Sequence, residues 1–337
     1  MKDKKLKRQV YFNGDFVPET EAKISIYDSA LMFGDMIFEM TRSFNGKQFK
    51  LREHLERLYT GIKILRIPVK MKIEEMEKAV YETVEKNIKI FDKNDEHRIL
   101  IDVSRGLLSI YEDVDIKKGP NVVIADFPLR WTVQNCSHLY DQGINLWITS
   151  QRAIPAHLME PKIKNRSRLF YLMANIEVSM VKGNDNWALL LDTNGFVAEG
   201  TGSNFFMVKD NVIFLPEQRD ILRGISMNTV INDLAPSLGI KVIQKNIEPF
   251  DVYQADEVFL TSTPFCILPA VTLNKLKIGD GKPGKVTKKL IKAWSDLVGV
   301  DIIKQIKSWD LKKNNKTSTT PYKFGNNNSL TMDIEKS

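Results

Sequence analysis

The sequence is short of the residues that many protein classes depend on. Among 337 residues there are two cysteines, Cys136 and Cys266. Two cannot build a disulfide framework, so a reducing, cytoplasmic setting is expected. Histidine is scarce as well. His54, His97, His138 and His157 show no metal-ligand spacing, and no metal site is expected. No apolar run approaches the length of a membrane span. The basic N-terminus is not followed by the apolar stretch of a secretory signal, so none is expected. No nucleic-acid-binding module is recognisable. The net charge of +7 therefore reads as a basic surface, not as a footprint for RNA or DNA.

What is present is ordinary globular material, 43% hydrophobic and 27% charged, and long enough for two cored domains. The patterning predicts a hairpin over residues 9–17, turned by Asn13-Gly14, and a short strand at 24–26. A strand is expected from Ile37 to Phe44. Leu55, Leu58, Ile62 and Leu65 mark the buried stripe of one helix; Met76, Ala79, Val80 and Val84 mark a second. Strands follow at 98–103 and 122–126. A first α/β domain over residues 1–130 is expected, then a linker at 131–138. A larger domain spans 139–307, and a polar, Asn-rich tail at 308–337 is expected to be disordered.

Within the larger domain, Lys164 precedes a helical run in which Leu169, Leu172, Met173 and Ile176 recur at i, i+3, i+4 and i+7. That spacing predicts an amphipathic helix ending near Gly183. A strand at 187–191, the turn signal Asn194-Gly195 and a return strand carrying Glu199 come next. Further on, Pro236 is expected to kink or shorten a helix that ends before Gly239. A helix with Val286, Leu290, Trp294 and Leu297 on its inner face is expected near the end. Residues 279–285 read Gly-Asp-Gly-Lys-Pro-Gly-Lys, most of a phosphate-binding P-loop. Val286 stands where a magnesium-binding hydroxyl is needed, and Pro283 removes a backbone donor, so a nucleotide hydrolase is discounted.

Taken singly, Lys164 and Glu199 read as surface residues. Their surroundings say more. Ile163-Lys164 with Leu169, and then Leu190, Leu191, Asp192, Gly195, Val197, Glu199, Gly200, Asn204 and Phe206, form a pattern that resembles the class IV, or fold-type IV, pyridoxal-phosphate enzymes. The resemblance covers roughly residues 9–300. It includes Phe33-Gly34-Asp35 with Phe38-Glu39, Glu53-His54-Leu55 with Arg57-Leu58, Leu222 with Gly224-Ile225-Ser226, and the segment ending at Thr263. The family contains branched-chain and D-amino-acid aminotransferases, (R)-amine transaminases and aminodeoxychorismate lyase.

The resemblance implies a two-domain α+β or α/β fold with a small α/β domain and a larger, β-barrel-like one. It implies pyridoxal 5′-phosphate as cofactor, Lys164 as the Schiff-base lysine and Glu199 as the acid at the pyridine nitrogen. Arg57, Ile225, Ser226 and Thr263 are implied as the phosphate contacts. The chemistry fits those residue types: a partly neutral lysine as nucleophile, an anion for a pyridinium, and a guanidinium for phosphate oxygens. The expected reaction is transamination between amino acids and 2-oxo acids, with branched-chain-type amino acids first. A lyase, or a D-amino-acid or (R)-amine transaminase of the same fold, is the alternative. An inactive cofactor-binding protein is the reading outside the class. Two features depart from the branched-chain pattern: Pro264 lacks the backbone N–H that helps bind the substrate carboxylate, and Arg166 and Arg168 follow the lysine. The resemblance implies that Phe38 reaches the active site, and strand alternation puts residues 38, 40 and 42 on one face, so Arg42 is expected either to meet substrate beside Phe38 or to pair with an acid outside the site. A homodimer is expected, closed by a loop at 106–115 with apolar Leu107, Leu108, Ile110 and Tyr111.

Overall fold

The computed structural model describes residues 7–111, 113, 119–310 and 324. Apolar alternation produces two sheets and two cores. The smaller sheet is antiparallel, in the order Asp15–Pro18, Gln9–Phe12, Asn121–Pro128, His97–Ser104 and Met36–Met40. Helices Leu51–Ile64 and Ile73–Asn87 cover one face of it, burying the two stripes read from the sequence. That core runs from Tyr11 to Ile124 and also takes in Ile163.

In the second unit six strands close into a ring. Val197–Gly200 pairs with Asn186–Leu191, which pairs with Ile144–Arg152, then Cys266–Leu273, Glu257–Ser262 and Ser203–Lys209. The ring shuts where Ser203–Lys209 pairs back with Val197–Gly200 through Glu199 opposite Asn204 and Gly200 opposite Ser203. Near-continuous apolar runs such as 188–191 and 258–260 suit strands buried on both faces. The core of this unit reaches from Leu129 to Trp309 and includes Phe44.

Several expectations need correction. Residues 24–26 are not a strand, and Ile26 is exposed. The segment at 131–138 is built of short helices, Arg130–Val133 and Gln134–Cys136, with Val133 and Cys136 buried in the larger core. Helix Ile302–Asp310 runs past position 308 and buries Trp309, so the expected tail would begin inside it; residues 311–323 and 325–337 lie outside the described residues. The helix after Lys164 is Leu169–Ser179, shorter than expected, and its phase is different. Tyr171, Ala174 and Val178 face inward, while Leu169 is 68% exposed and Met173 45%. The run is apolar nearly all round, so periodicity alone could not set which face packs on the sheet. Leu297 is likewise exposed. Around Pro236 the helix that starts at Ile225 is irregular, with a π-helical turn at Val230–Leu234, and it ends with Ala235–Ser237, before Gly239 as expected.

The P-loop-like segment holds an anion of the protein's own. Glu257 accepts hydrogen bonds from the Val286 and Thr287 amides and from the Thr287 hydroxyl, each at 2.8 Å, at the start of helix Lys285–Val298. A Cβ on Gly284 would lie 1.9 Å from the Glu257 carboxyl carbon. The helix terminus that would attract a phosphate is filled by this carboxylate.

The expected strand from 37 to 44 breaks after Met40. Arg42 therefore does not share a pocket face with Phe38. It is 1% exposed and stacks on Phe44. Its Nη1 donates to the Pro264 carbonyl at 3.1 Å and reaches Cys266 Sγ at 3.5 Å, and its Nη2 donates to Gln305 Oε1 at 3.0 Å. A buried guanidinium needs acceptors, and here they come from the larger unit. Arg42 joins the two units. Replacing Arg42 with Leu strands those acceptors, so urea denaturation should show a loss of about 1–3 kcal/mol. A variant as stable as the parent would contradict the junction role.

Candidate active site

Lys164 is placed by the small sheet. Residues 164–166 run along the edge of strand Met36–Met40: the Phe38 amide donates to the Lys164 carbonyl at 2.9 Å, and the Arg166 amide donates to the Met36 carbonyl at 2.9 Å. Gly34 packs so closely on this segment that a Cβ would sit 2.4 Å from Ser167 Oγ. The Lys164 amine lies 4.8 Å from the centre of the Phe38 ring. Burial, then the charges of Arg168 and Arg57, hold its pKa well below the usual lysine range; Glu39 and Glu199 pull the other way. The sequence expectation of a lysine made partly neutral by its site matches this environment.

Glu199 lies in the closing strand of the ring and is buried. The Tyr171 hydroxyl donates to it, as do the Leu222 amide at 3.1 Å and Asn204 Nδ2 at 3.4 Å. Burial pushes the Glu199 carboxyl up to about 7, against the pull of the Tyr171 hydroxyl, Arg168, the Leu222 amide and Lys164. A desolvated carboxylate with that poise suits a cationic partner such as a pyridinium nitrogen.

Arg57 does not pair with Glu53 on its own helix. It grips Glu39 bidentately, with Nε at 2.6 Å and Nη2 at 2.8 Å. His54 Nδ1 stands 2.7 Å from the same carboxylate. Burial works to raise the Glu39 pKa, but Arg57 and His54 outweigh it and hold the carboxylate far below its usual range. The remaining edge of Arg57 donates through Nη1 to the Arg223 carbonyl at 2.7 Å, beside the start of helix Ile225–Thr229. Ser226 is in the first turn of that helix, which packs on strand Glu257–Ser262, and Thr263 follows that strand directly. The structure thus draws Arg57 to the Ile225–Ser226 turn and sets Thr263 on the adjoining strand. Gly224 makes room for the amide that supports Glu199, since a Cβ there would lie 2.1 Å from Asn204 Oδ1.

Sequence reasoning missed Glu39, His54, Tyr171 and Asn204 as supporting groups. The spacing of His54 and Arg57, three apart on a helix, was a readable sign that they share a face. Tyr171 gave no such sign, because its direction depends on the helix phase.

A family model described as amino-transferase class IV matches residues 36–273. The chain belongs to the class IV aminotransferases. Among relatives of this class, a putative branched-chain-amino-acid aminotransferase of Methanocaldococcus jannaschii is 34% identical over 290 residues, covering 86% of this chain and 96% of that protein. The branched-chain-amino-acid aminotransferase of Escherichia coli K12 is 30% identical over 300 residues, covering 86% and 92%. The crystal structure of the T.th. branched-chain amino acid aminotransferase with pyridoxamine 5′-phosphate superposes with a TM-score of 0.75 at 29% identity, covering 87% of this chain and 95% of that one. The class IV fold, with its small α/β unit and barrel-like unit, is the one read from the sequence, and the chain is a pyridoxal-phosphate-dependent aminotransferase.

The raised Glu199 pKa gives a signed expectation for the cofactor-free protein. An acid raised on folding favours the folded state fully below its ordinary pKa, and that contribution is lost as pH rises through the folded value. Thermal melts of the apoprotein should therefore lose stability between about pH 4.5 and about pH 7. Glu199→Gln should flatten that segment of the profile; an unchanged slope would show that Glu199 is not its source.

Proposed function

We propose that this aminotransferase moves amino groups between branched-chain-type amino acids and 2-oxo acids, with Lys164 as the residue attached to the cofactor. The observation carrying the proposal is the placement of Lys164 against Phe38, on the strand whose Glu39 grips Arg57, with Glu199 and Arg57 both near enough to act on its charge. These are the groups suited to the ring nitrogen and to the phosphate. When bound, pyridoxal 5′-phosphate supplies an aldehyde carbon for the amino group and a ring that takes up electrons from the substrate α-carbon. Lys164, kept partly neutral, takes the proton from that α-carbon and returns a proton on the other side of the exchange. Glu199 holds the ring nitrogen's charge. Arg57, the Ile225 amide, Ser226 and Thr263 would hold the phosphate, with Arg57 offering the N–H groups that Glu39 and the Arg223 carbonyl leave. Phe38 stands against the Lys164 amine as an apolar wall of the substrate space.

The names of the relatives support the branched-chain substrates. Lys164→Ala should abolish turnover and leave no borohydride-reducible adduct, and labelling of Lys162 instead would contradict the assignment. Leucine, isoleucine and valine should be good donors in a panel with D-amino acids, amines and aminodeoxychorismate. Strong activity confined to a carboxylate-free amine would defeat the substrate assignment. Arg57→Ala should weaken cofactor binding by about 1.5–3 kcal/mol in equilibrium titration, whereas an unchanged affinity would leave Arg57 with Glu39 alone.

The active form is a homodimer in this proposal. Helix Ser29–Phe33 exposes Leu31, Met32 and Phe33, and Ile110 and Leu169 are exposed too. An apolar surface of this kind is costly to leave in water. Asp28 bridges to Leu107, and Tyr27 stacks on Tyr111, which ties this surface to the loop at 106–111; residues 112 and 114–118 lie outside the described residues. Sedimentation should give a dimer, and a fully active monomer would refute it.

A further inference from the structure

The two arginines that follow Lys164 have different surroundings. Arg166 is paired, with Nε at 3.1 Å and Nη2 at 2.7 Å from Asp102 Oδ1, and its guanidinium lies 3.8 Å from the Phe38 ring centre. Arg168 has no such partner. Its Nε donates to the Asn165 carbonyl at 2.8 Å, and among the described residues its two terminal nitrogens have neither a carboxylate nor a carbonyl. It lines a cleft together with Ile163, Asn165, Tyr171 and Glu199. Glu199 acts on it through space, but the Glu199 oxygens accept from Tyr171, Leu222 and Asn204, and no hydrogen bond joins the two side chains. Two aromatic rings flank the guanidinium, Tyr171 at 5.1 Å and Phe38 at 5.2 Å, and they confine it without supplying an acceptor.

An unpaired guanidinium beside a lysine is a like-charge arrangement, unfavourable unless something answers the charge. Guanidinium nitrogens held in a fixed plane suit a planar oxyanion. Pro264 has no backbone N–H to offer an anion, and its carbonyl is occupied by Arg42. The turn after Thr263 is thus short of a donor, while the cleft that Arg168 lines has a spare one. Resting on the reading of Lys164 and Glu199 given above, we propose that Arg168 is the oxyanion donor of the active site, its two free terminal nitrogens binding an anionic oxygen of the molecule held between those residues. That oxygen belongs either to the substrate carboxylate or to the cofactor's ring hydroxyl, and both are oxyanions next to the reacting carbon.

The test uses the full chain and the variants Arg168→Gln and Arg168→Lys. Arg168 makes one side-chain hydrogen bond and is partly exposed, so both variants should fold. Two affinities are read separately: pyridoxal 5′-phosphate for the apoprotein, and isovalerate for the holoprotein through its visible absorbance. Arg168→Gln should weaken one of them by about tenfold or more, and Arg168→Lys should recover part of the loss. Loss confined to isovalerate assigns the oxygen to the substrate carboxylate; loss confined to the cofactor assigns it to the ring. If Arg168→Gln keeps both affinities within about twofold, the proposal is overturned. A wild-type protein that binds no pyridoxal 5′-phosphate would instead overturn the underlying reading of Lys164.

Discussion

The structure around the candidate site depends on a buried carboxylate that belongs to no ligand. Glu39 has no solvent to stabilise its charge, so it persists only because Arg57 and His54 surround it. Removing either partner would leave an ion in a medium that cannot support it. This requirement fixes helix Leu51–Ile64 against strand Met36–Met40. It also fixes the direction of Arg57, and Arg57 in turn reaches the Arg223 carbonyl in the larger unit. The opposite face of the same strand carries Phe38, against which the Lys164 segment lies. One strand therefore orients the Arg57 guanidinium on one surface and the Lys164 amine on the other.

Much of this was legible in the sequence because it depends on local pattern. The two helical stripes, the Asn13-Gly14 hairpin and the apolar strands of the ring all follow from period and turn chemistry. So does the link between His54 and Arg57. What was not legible depends on contacts distant in the chain. Strand alternation put Arg42 beside Phe38, but no local rule says that the strand stops at Met40. The stop is decided by acceptors at Pro264 and Gln305, more than two hundred residues away. The phase of helix Leu169–Ser179 was misread because most of its faces are apolar. Only the sheet beneath it selects Tyr171 as the inward residue. Arg166 and Arg168 look equivalent as a sequence. Asp102, which stands opposite Phe38 in the sheet, separates them by pairing with one and not the other.

Charge within the molecule is handled in two contrasting ways. Glu257 is buried and fully answered by the amides and hydroxyl of a helix start, and it plays a purely architectural part. Glu199 is equally buried and also accepts three hydrogen bonds, and burial still pushes its carboxyl up to about 7.

The closing seam of the six-stranded ring has a consequence of its own. Strand Val197–Gly200 is four residues long, and it meets Ser203–Lys209 through two residue pairs, one of which contains Glu199. A ring opens most cheaply where the fewest pairs hold it, and this strand has two residue pairs on either side. Such an opening would wet the Glu199 carboxyl and free Asn204 in the same event. A cofactor bound across the seam would then act as a rivet: its affinity for the closed ring would set how often the barrel breathes, and loss of the cofactor and loosening of the barrel would be a single cooperative transition.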